Sequence, residues 1–311
     1  MRARGAQWLA GCLLAGLSIG SPPAHAQAPS LPADTARPHF RSAVSLTTVT
    51  ATVTDEDGRL VPRLPQERFE VYEDGELQAI TQFTNERVPV SVAILLDASD
   101  SMYGQRITDA RQAVYRFVSD MLDPADEFAV MLFNHHHQLL SDWTDDRSRA
   151  FEVLHPVVPW GSSAMYDAVF AALPLAATRH RPRAAVLVVS DGADTASDTP
   201  LRDLRRALLR TDAFVYAIGV DSPGRRAINA PVNPLALAEV TDLSGGRTHI
   251  VHDMTDLSLA LERIADELNS QYLIGYTSPR RPDGRYHSLR VRIRGGEYRV
   301  RARNGFVAEI E

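Results

Sequence analysis

The sequence contains no lysine, since all 33 of its basic residues are arginine. A phosphate-binding P-loop must end in Gly-Lys, so this absence excludes the P-loop class of NTPases. Cysteine is almost absent too, because Cys12 is the only one, and no intrachain disulfide can form. The net charge is −6, and this mildly acidic balance argues against nucleic acid as a partner.

A targeting segment is predicted at residues 1–26. Arg2 and Arg4 supply its positive start, residues 8–19 an apolar core, and Ala24-His25-Ala26 a cleavage site. Leu9-Ala10-Gly11-Cys12 superficially resembles a lipoprotein box, but little apolar sequence precedes Cys12, which argues against lipidation. The apolar core is also too short for a comfortable membrane span. We therefore expect an exported protein, periplasmic or extracellular, whose mature chain has neither a transmembrane span nor a disulfide.

The chain is organised around residues 92–102. Residues 92–96 form an unbroken apolar run, which is typical of a strand buried on both faces of a parallel sheet. The run ends at Asp97, Ser99 and Ser101, and open α/β sheets bind their ligands at the carboxyl ends of such strands. Small oxygen donors of this kind suit Mg²⁺, Mn²⁺ or Ca²⁺. This pattern alone is a weak indication of a divalent-cation site.

Two further segments strengthen this prediction. One reads Trp160-Gly161-Ser162-Ser163-Ala164-Met165-Tyr166-Asp167-Ala168, and the other is an apolar strand, residues 186–189, followed by Ser190 and Asp191. Together with Asp-x-Ser-x-Ser, and in this order, they resemble the metal-ion-dependent adhesion site of von Willebrand factor A-type (vWA) domains. The departure from the family pattern is Ser163 in place of Thr, which keeps the hydroxyl but loses the methyl group that restricts χ1.

The resemblance implies a specific ligand set. Ser99, Ser101 and Ser163 would coordinate the cation directly, while Asp97 and Asp191 would act largely through water. Few charged oxygens would then touch the ion, so it would stay electrophilic and accept an aspartate or glutamate from a partner protein. The implied cofactor is Mg²⁺, with Mn²⁺ or Ca²⁺ as alternatives.

The organisation of the chain is predicted as an α/β domain inserted in a β-module. Residues 27–41 have the composition of a flexible linker. Residues 42–89 contain strands at 45–55, 69–73 and 79–83, with a turn at Asp57-Gly58. Residues 90–270 alternate strand and helix, which predicts a doubly wound, mostly parallel sheet with an antiparallel edge strand at 139–143. Within the helix predicted at 163–178, Pro174 should cause a kink or an early end.

Residues 271–311 return to β-type sequence. We expect strands at 272–276, 286–294 and 298–303, the last two joined by a hairpin turn at Gly295-Gly296. Neither terminal segment is long enough to bury a two-sheet core alone, so we predict one β-sandwich formed by both ends of the chain.

The whole arrangement resembles the secreted bacterial VWFA-related domain proteins. The motifs that carry this resemblance are Val53-Thr54-Asp55-Glu56-Asp57-Gly58, Phe69-Glu70-Val71-Tyr72-Glu73-Asp74-Gly75, Tyr272-Leu273-Ile274-Gly275-Tyr276 and Arg301-Ala302-Arg303-Asn304-Gly305-Phe306.

Several polar clusters have simpler explanations than a functional site. His135-His136-His137 is interpreted as a polar hairpin tip rather than a metal site. Consecutive strand residues point in alternating directions, so three adjacent imidazoles do not easily converge on one ion. Asp194 and Asp198 could shape the rim of the metal site, although a solvated loop is the simpler interpretation. The arginines Arg202, Arg205, Arg206 and Arg210 read as a solvent-facing helix surface rather than a dock for an anionic partner.

Enzymatic function is not expected. Haloacid-dehalogenase phosphatases use Asp-x-Asp and a lysine, whereas Ser99 fills the second position here and lysine is absent. No Gly-x-Ser-x-Gly elbow accompanies the serines, and Ser99 has no identifiable histidine partner.

Two functions therefore stay open, with the oligomeric state unknown. The first is metal-dependent capture of a partner carboxylate, as in adhesion. The alternative is a structural or assembly role in the cell envelope, with a weak or vestigial metal site and binding through the β-module.

Overall fold

The computed structural model describes residues 45–221, 232–278 and 283–308. All of them belong to one compact unit, residues 43–311, and the other unit, Met1–Ser42, lies outside the described residues. The predicted leader (1–26), the predicted linker (27–41) and the start of the β-module (42–44) therefore also lie outside them.

The described chain begins with four strands whose bounds follow the alternation of apolar and polar residues. They are β1 (Ser45–Thr54), β2 (Phe69–Glu73), β3 (Glu76–Gln78) and β4 (Ile80–Thr84). The turn predicted at Asp57-Gly58 follows β1: Gly58 adopts a positive φ of 79°, and its N–H donates to the carbonyl of Asp55 at 3.0 Å. After this turn the chain meets β1 again only at an isolated bridge between Thr54 and Leu60.

The central part of the chain forms a six-stranded sheet in the order β10-β9-β8-β5-β6-β7. Its strands are β5 (Val90–Asp97), β6 (Glu127–Phe133), β7 (His137–Thr144), β8 (Arg183–Ser190), β9 (Phe214–Val220) and β10 (Thr248–Val251). All neighbouring pairs are parallel except β6 and β7, so the antiparallel edge strand is present as predicted. β5 and β8 are buried along their whole length, in accord with their unbroken apolar runs.

Helices cover both faces of this sheet and bury apolar side chains against it. They are α1 (Gln105–Arg116, continued by a π-helical turn over Phe117–Met121), α2 (Ser148–Leu154), α3 (Met165–Ala177), α4 (Leu201–Leu208), α5 (Pro234–Thr241) and α6 (Met254–Ser270). The helices α1, α2 and α6 share one core, and α3, α4 and α5 share the other. No helix in the described part of the chain is both long and apolar enough to cross a membrane.

Pro174 does not end its helix early, as the sequence suggested it could. α3 continues for one more turn, to Ala177. The proline ring lies on the exposed face, so the carbonyl that loses its intrahelical partner, that of Phe170, lies on the side of solvent. Leu173 and Ala176 on the opposite face are buried in the core, and this packing stabilises the helix across the proline.

The chain ends in strands β11 (Tyr272–Ser278), β12 (Tyr286–Ile293), β13 (Arg299–Ala302) and β14 (Gly305–Val307). They combine with the N-terminal strands into two antiparallel sheets, β13-β1-β11-β4 and β14-β12-β2-β3. Side chains from both sheets meet in one core that includes Val49, Phe69, Ile274 and Val291. The fold class is therefore confirmed: a mostly parallel α/β sheet with antiparallel sheets built from both ends of the chain.

The hairpin predicted at Gly295-Gly296 is wrong. β12 pairs with β2 and β14, whereas β13 pairs with β1, so the segment between them carries the chain from one sheet to the other. Both glycines have positive φ, which permits the sharp change of direction. Packing in the sandwich core, rather than closeness along the chain, determines which strands pair here.

The two links between the β-module and the central domain lie close together. Arg87, after β4, donates from Nε to Oδ1 of Asn269 in α6 at 2.8 Å. Buried Arg183, at the start of β8, donates from Nη1 to Oε1 of Gln271 at 2.6 Å and also bonds the carbonyl of Val88. These bonds hold entry and exit side by side at the amino end of the parallel sheet.

Candidate functional site

The first part of the site is the loop that follows β5. Asp97 is fully buried at the carboxyl end of the strand, and its Oδ1 accepts a hydrogen bond from the backbone N–H of Ser99 at 2.9 Å. The hydroxyls of Ser99 and Ser101 are 3.1 Å apart. Met102, fully buried below a short 3₁₀ turn, anchors this loop in the core. The loop therefore directs one carboxylate and two hydroxyls to the same edge of the sheet.

A second loop, before α3, is hydrogen-bonded to the first. The N–H of Trp160 donates to the carbonyl of Ala98 at 2.9 Å, and the N–H of Asp100 donates to the carbonyl of Gly161 at 2.8 Å. Gly161 has a φ of 79°, and a Cβ at this position would lie 2.7 Å from Nδ1 of His135, so only glycine fits. The second loop thus has a fixed position beside the first.

This position selects Ser163 rather than Ser162. The Ser163 side chain is buried, and its Oγ donates to Oδ2 of Asp97 at 3.3 Å, whereas Ser162 is exposed. Thr195 fixes the Ser163 backbone, because the Ser163 N–H donates to its hydroxyl at 3.1 Å and the Thr195 N–H donates back to the Ser163 carbonyl at 2.8 Å. The hydroxyl of Ser163 is therefore the one that faces the buried carboxylate.

The third part follows β8. Asp191 is buried, and its Oδ1 accepts a hydrogen bond from the N–H of Ala193 at 3.0 Å. Ser190, which is not one of the predicted ligand residues, donates from Oγ to Oδ2 of Asp97 at 2.5 Å. Its only sequence signal was its place at the end of an apolar strand, directly before the acid.

The charged form of the Asp97 carboxylate is disfavoured by its surroundings. Burial, and secondly the negative charge of Asp191, raise the pKa of Asp97 to about 6. Hydrogen bonds from Ser190 and Ser99 act in the opposite direction but do not offset these effects. An arrangement of this kind favours a cation close to both carboxylates.

Part of that positive charge comes from Arg106, which was not predicted from the sequence as a site residue. Its side chain, at the start of α1, is only 3% exposed. Nη1 lies 3.2 Å from Oδ2 of Asp191 and 3.3 Å from the carbonyl oxygen of Ser101. An arginine in the first turn of an amphipathic helix usually faces solvent, so nothing in its sequence position signalled a buried ion pair.

The predicted ligand residues Asp97, Ser99, Ser101, Ser163 and Asp191 thus come from three loops at one edge of the sheet. The side chains among them offer only hydroxyl and carboxylate oxygens, which fits a hard divalent cation better than a transition metal that prefers nitrogen or sulfur.

The other clusters seen in the sequence serve local roles. Asp194 accepts hydrogen bonds from the N–H of Tyr166 and the hydroxyl of Ser197, and so holds the start of α3. The N–H of Asp198 donates to Asp167 in the same region. Among the arginines of α4, Arg205 pairs with Glu239 of α5 at 2.5 Å. The ring centroids of His135 and His136 are 4.3 Å apart with the rings tilted, and the ring of His135 meets that of Trp160 edge to face at 4.4 Å.

The rim of the site carries exposed aromatic side chains. Trp160 is 59% exposed and Tyr103 is 45% exposed, on the second and first loops respectively. Exposed tryptophan and tyrosine are the residues that most often anchor protein interfaces.

A separate group of titratable side chains lies in the β-module. His287 is buried, and its Nδ1 lies 2.8 Å from Oδ2 of Asp74 and 3.9 Å from Oε1 of Glu73. Its Nε2 lies 3.2 Å from Oδ1 of Asp283. Burial lowers the pKa of His287, but the hydrogen bonds to Asp74 and Asp283 outweigh it and raise the pKa overall. An imidazolium with both nitrogens donating to carboxylates fits this geometry.

Comparison with known families identifies the central domain. Residues 92–193 match the sequence model of the von Willebrand factor type A domain, and this span contains the predicted ligand residues. No curated protein matches the chain.

Solved structures resemble the chain at low sequence identity. A von Willebrand factor type A protein from Catenulispora acidiphila is 15% identical, with a TM-score of 0.51 over 88% of this chain and 76% of that one. The conserved hypothetical protein BatB from Bacteroides thetaiotaomicron is 21% identical, with a TM-score of 0.48 over 58% of this chain and 97% of that one. The vWF domain of the type V pili tip protein Mfa5 from Porphyromonas gingivalis is 15% identical, with a TM-score of 0.47 over 59% and 96%. The first of these similarities supports the fold beyond the central sheet.

Proposed function

This chain contains a von Willebrand factor type A domain, and from that premise we propose that it is an exported, metal-dependent protein-binding module. A divalent cation, Mg²⁺ in the first instance, would be held by Ser99, Ser101 and Ser163, with Asp97 and Asp191 acting mainly through water. The partner would be a protein that presents an aspartate or glutamate side chain. The predicted leader supports a location in the periplasm or outside the cell.

The observation that carries this proposal is the convergence on Asp97. The hydroxyls of Ser163 and Ser190 both donate to its Oδ2, and the N–H of Ser99 donates to its Oδ1. These bonds hold the buried carboxylate in one orientation, so the loop hydroxyls are positioned before any ligand arrives. Preorganisation of this kind lowers the entropic cost of binding.

The residues of the site have separate roles. Asp97 and Asp191 supply the negative charge, and their hydrogen bonds within the protein orient them. The serine hydroxyls are neutral, so a bound cation would keep enough Lewis acidity to accept an oxygen from an outside carboxylate. Trp160 and Tyr103 stand exposed on the rim, where they can contact the residues that flank the partner's acid.

Arg106 should moderate the affinity for metal. Its guanidinium neutralises part of the charge of Asp191 and lies close to the Ser101 carbonyl. A divalent cation would meet a smaller net negative charge than the two carboxylates alone provide. We therefore expect binding at millimolar rather than nanomolar Mg²⁺.

Catalysis is not part of the proposal, since domains of this type generally have no enzymatic activity. The Ser99 hydroxyl lies against that of Ser101, and the Ser163 hydroxyl donates to Asp97. Among the described contacts of these two serines there is no imidazole that could act as a general base.

The test combines metal binding with partner capture. Melting curves of the full chain are recorded in EDTA and in Mg²⁺, for the native protein and for Asp97→Ala. We expect Mg²⁺ to raise the melting temperature of the native protein alone, because a ligand of the folded state stabilises it as RT ln(1 + [L]/Kd). Immobilised protein is then exposed to an extract of the native cell envelope in either condition.

Retention of one specific protein in Mg²⁺, its release by EDTA and its loss in Asp97→Ala would support the proposal. Asp198→Ala, in a nearby exposed loop, is the matched control and should behave like the native protein. An unchanged melting curve in millimolar Mg²⁺ would count decisively against a metal site.

A further inference from the structure

Strand β12 is longer than the neighbour that covers one of its edges. On one side β12 pairs with β2 from Leu289 to Ile293. On the other side β14 pairs with it only from Tyr286 to Ser288, followed by one more bond from the N–H of Leu289 to the carbonyl of Asn304. Beyond that bond the chain turns into β13, which belongs to the other sheet. No described strand pairs with this edge over the remaining residues of β12.

The hydrogen-bond pattern identifies the backbone groups on the uncovered edge. Antiparallel strands bond alternately to their two neighbours. Towards β2, Ser288 accepts from the N–H of Asp74 and Arg294 donates to the carbonyl of Arg68. The backbone N–H and C=O groups of the even-numbered residues of β12 therefore point towards β2. By the same alternation the N–H and C=O groups of Val291 and Ile293 point to the uncovered side.

A groove of about 700 Å³ lies along this edge. One wall carries Leu289 and Val291, which belong to the sandwich core but keep 7% and 8% of their surface exposed. The opposite wall includes Val300 of β13. The groove thus runs along the flank of the β-sandwich, and its apolar wall is made of almost fully buried core residues.

The outer face of the same edge carries two exposed arginines, with Glu70 of β2 opposite the second of them. Arg290 and Arg292 alternate with the apolar residues of β12 and are exposed. Neither forms an ion pair with another described residue, although the guanidinium of Arg292 lies 5.4 Å from the ring centroid of Tyr72. The next arginine, Arg294, is already paired with Glu70 at 2.6 Å.

We propose that this edge is a docking site for an extended strand of a partner protein in which acidic and apolar residues alternate. Such a strand would bond through its backbone to Val291 and Ile293. Its apolar side chains would point inward and cover Leu289 and Val291, and its acidic side chains would point outward, beside Arg290 and Arg292. Opposite charges on neighbouring strands stabilise the pairing, and like charges weaken it. The site is independent of the proposed metal centre, since its residues belong to the β-module.

The test uses the full chain and two synthetic peptides. One alternates glutamate with valine, the other arginine with valine, and both have blocked ends. Amide hydrogen exchange is followed by NMR. We expect the glutamate peptide to slow exchange at Val291 and Ile293, while Arg290 and Arg292, whose amides already bond to β2, change little. The experiment runs in EDTA, so a failure of the metal site does not affect it.

Reversing the charge of the two arginines distinguishes specific docking from nonspecific peptide binding. The double variant Arg290→Glu with Arg292→Glu should bind the glutamate peptide about tenfold more weakly, which corresponds to about 1.4 kcal/mol, and should gain affinity for the arginine peptide. The matched control is Arg202→Glu with Arg206→Glu, on exposed positions of α4, which should change neither affinity.

A second variant tests the backbone contact. Val291→Pro removes a donor that faces the groove but not a bond to β2, so it should abolish binding while β2 and β12 remain paired. The proposal is overturned if peptide at millimolar concentration protects neither amide, or if the charge reversal leaves both affinities unchanged. Concentration-dependent protection without peptide, with dimers in sedimentation, would also overturn it, because the occupant would then be a second copy of this chain.

Discussion

The guanidinium of Arg106 lies 3.2 Å from the carboxylate of Asp191, and both side chains are almost completely buried. This pair places a fixed positive charge within the proposed cation site. Removing one partner of a buried ion pair leaves the other charge uncompensated, which costs about 3–5 kcal/mol. Loss of either partner would therefore destabilise the protein, and the guanidinium competes with metal for the same acid.

The first prediction follows from this competition. Arg106→Gln should lower the melting temperature in EDTA, because Asp191 loses its counter-charge. The gain in melting temperature on addition of Mg²⁺ should be larger than in the native protein, since the metal no longer competes with the guanidinium. Arg116→Gln, at an exposed position of the same helix, serves as the control. An equal Mg²⁺ response in the native protein and Arg106→Gln would contradict this view of the site.

The second prediction concerns the neighbouring serines of the second loop. Ser163→Ala removes the hydroxyl that donates to Asp97, so Mg²⁺ affinity measured by calorimetry should fall about tenfold or more, equivalent to about 1.4 kcal/mol. Ser162→Ala changes an exposed side chain and should leave the affinity nearly unchanged. Similar losses in both variants would show that the ligand position has been misassigned by one residue.

The third prediction concerns pH and His287. Its raised pKa means that the folded protein binds the proton more tightly than the unfolded chain. The resulting stability is fully present below the unfolded pKa of about 6.5 and is lost as pH rises through the higher folded value. The groups that face the ring are Asp74, Asp283 and Glu73.

Calorimetric melting temperatures across this pH range check the third prediction. The native protein should lose stability as pH rises above about 6.5, and His287→Gln should show a flatter dependence there. His136→Gln, on the exposed loop before β7, should keep the native pH dependence. A His287→Gln variant with the native slope would assign the effect to another group.

The fourth prediction concerns the interleaved β-module. A chain truncated after Ser270 lacks β11 and β13, the two neighbours of β1. The central sheet should stay folded, while the region of β1 to β4 becomes sensitive to trypsin at Arg59, Arg63 and Arg68. Limited proteolysis followed by mass spectrometry measures this. Equal protection of these arginines in truncated and full-length protein would mean that the N-terminal strands fold on their own.

Sequence patterns predicted the individual strands of this protein better than they predicted which strands pair with each other. The apolar run before Asp97 indicated a buried parallel strand, because burial on both faces leaves a local signature, and β5 has that burial. The pairing of β12 and β13 with different sheets leaves no such signature. It depends on which distant strands complete the core, so the predicted hairpin at Gly295-Gly296 was wrong.

In the candidate site, too, some residues could be predicted from the sequence and others could not. Asp97 and Ser99 were proposed because they follow a buried strand, and Ser163 because its segment resembles the vWA motif; the structure places the side chain of Ser163 and the backbone of Ser99 beside Asp97. Arg106 could not, since a long side chain reaches the site from a helix and only the packing of α1 on the sheet directs it there. Ser190 was missed because a serine at the end of an apolar strand is common.

The paired links between the β-module and the central domain have a mechanical consequence. The chain leaves β4 at one link and enters β11 at the other, and these two strands are neighbours, with Thr84 opposite Leu273. Tension on a ligand held near Asp97 would pass through the central domain to both links and reach the two strands at the same end. The hydrogen bonds between β4 and β11 would then carry little load, because the two strands are pulled together. The resisting bonds are those between β11 and β1, loaded along the strand direction. A connection through two links limits both the separation and the rotation of the β-module relative to the central domain, whereas a single link would allow rotation.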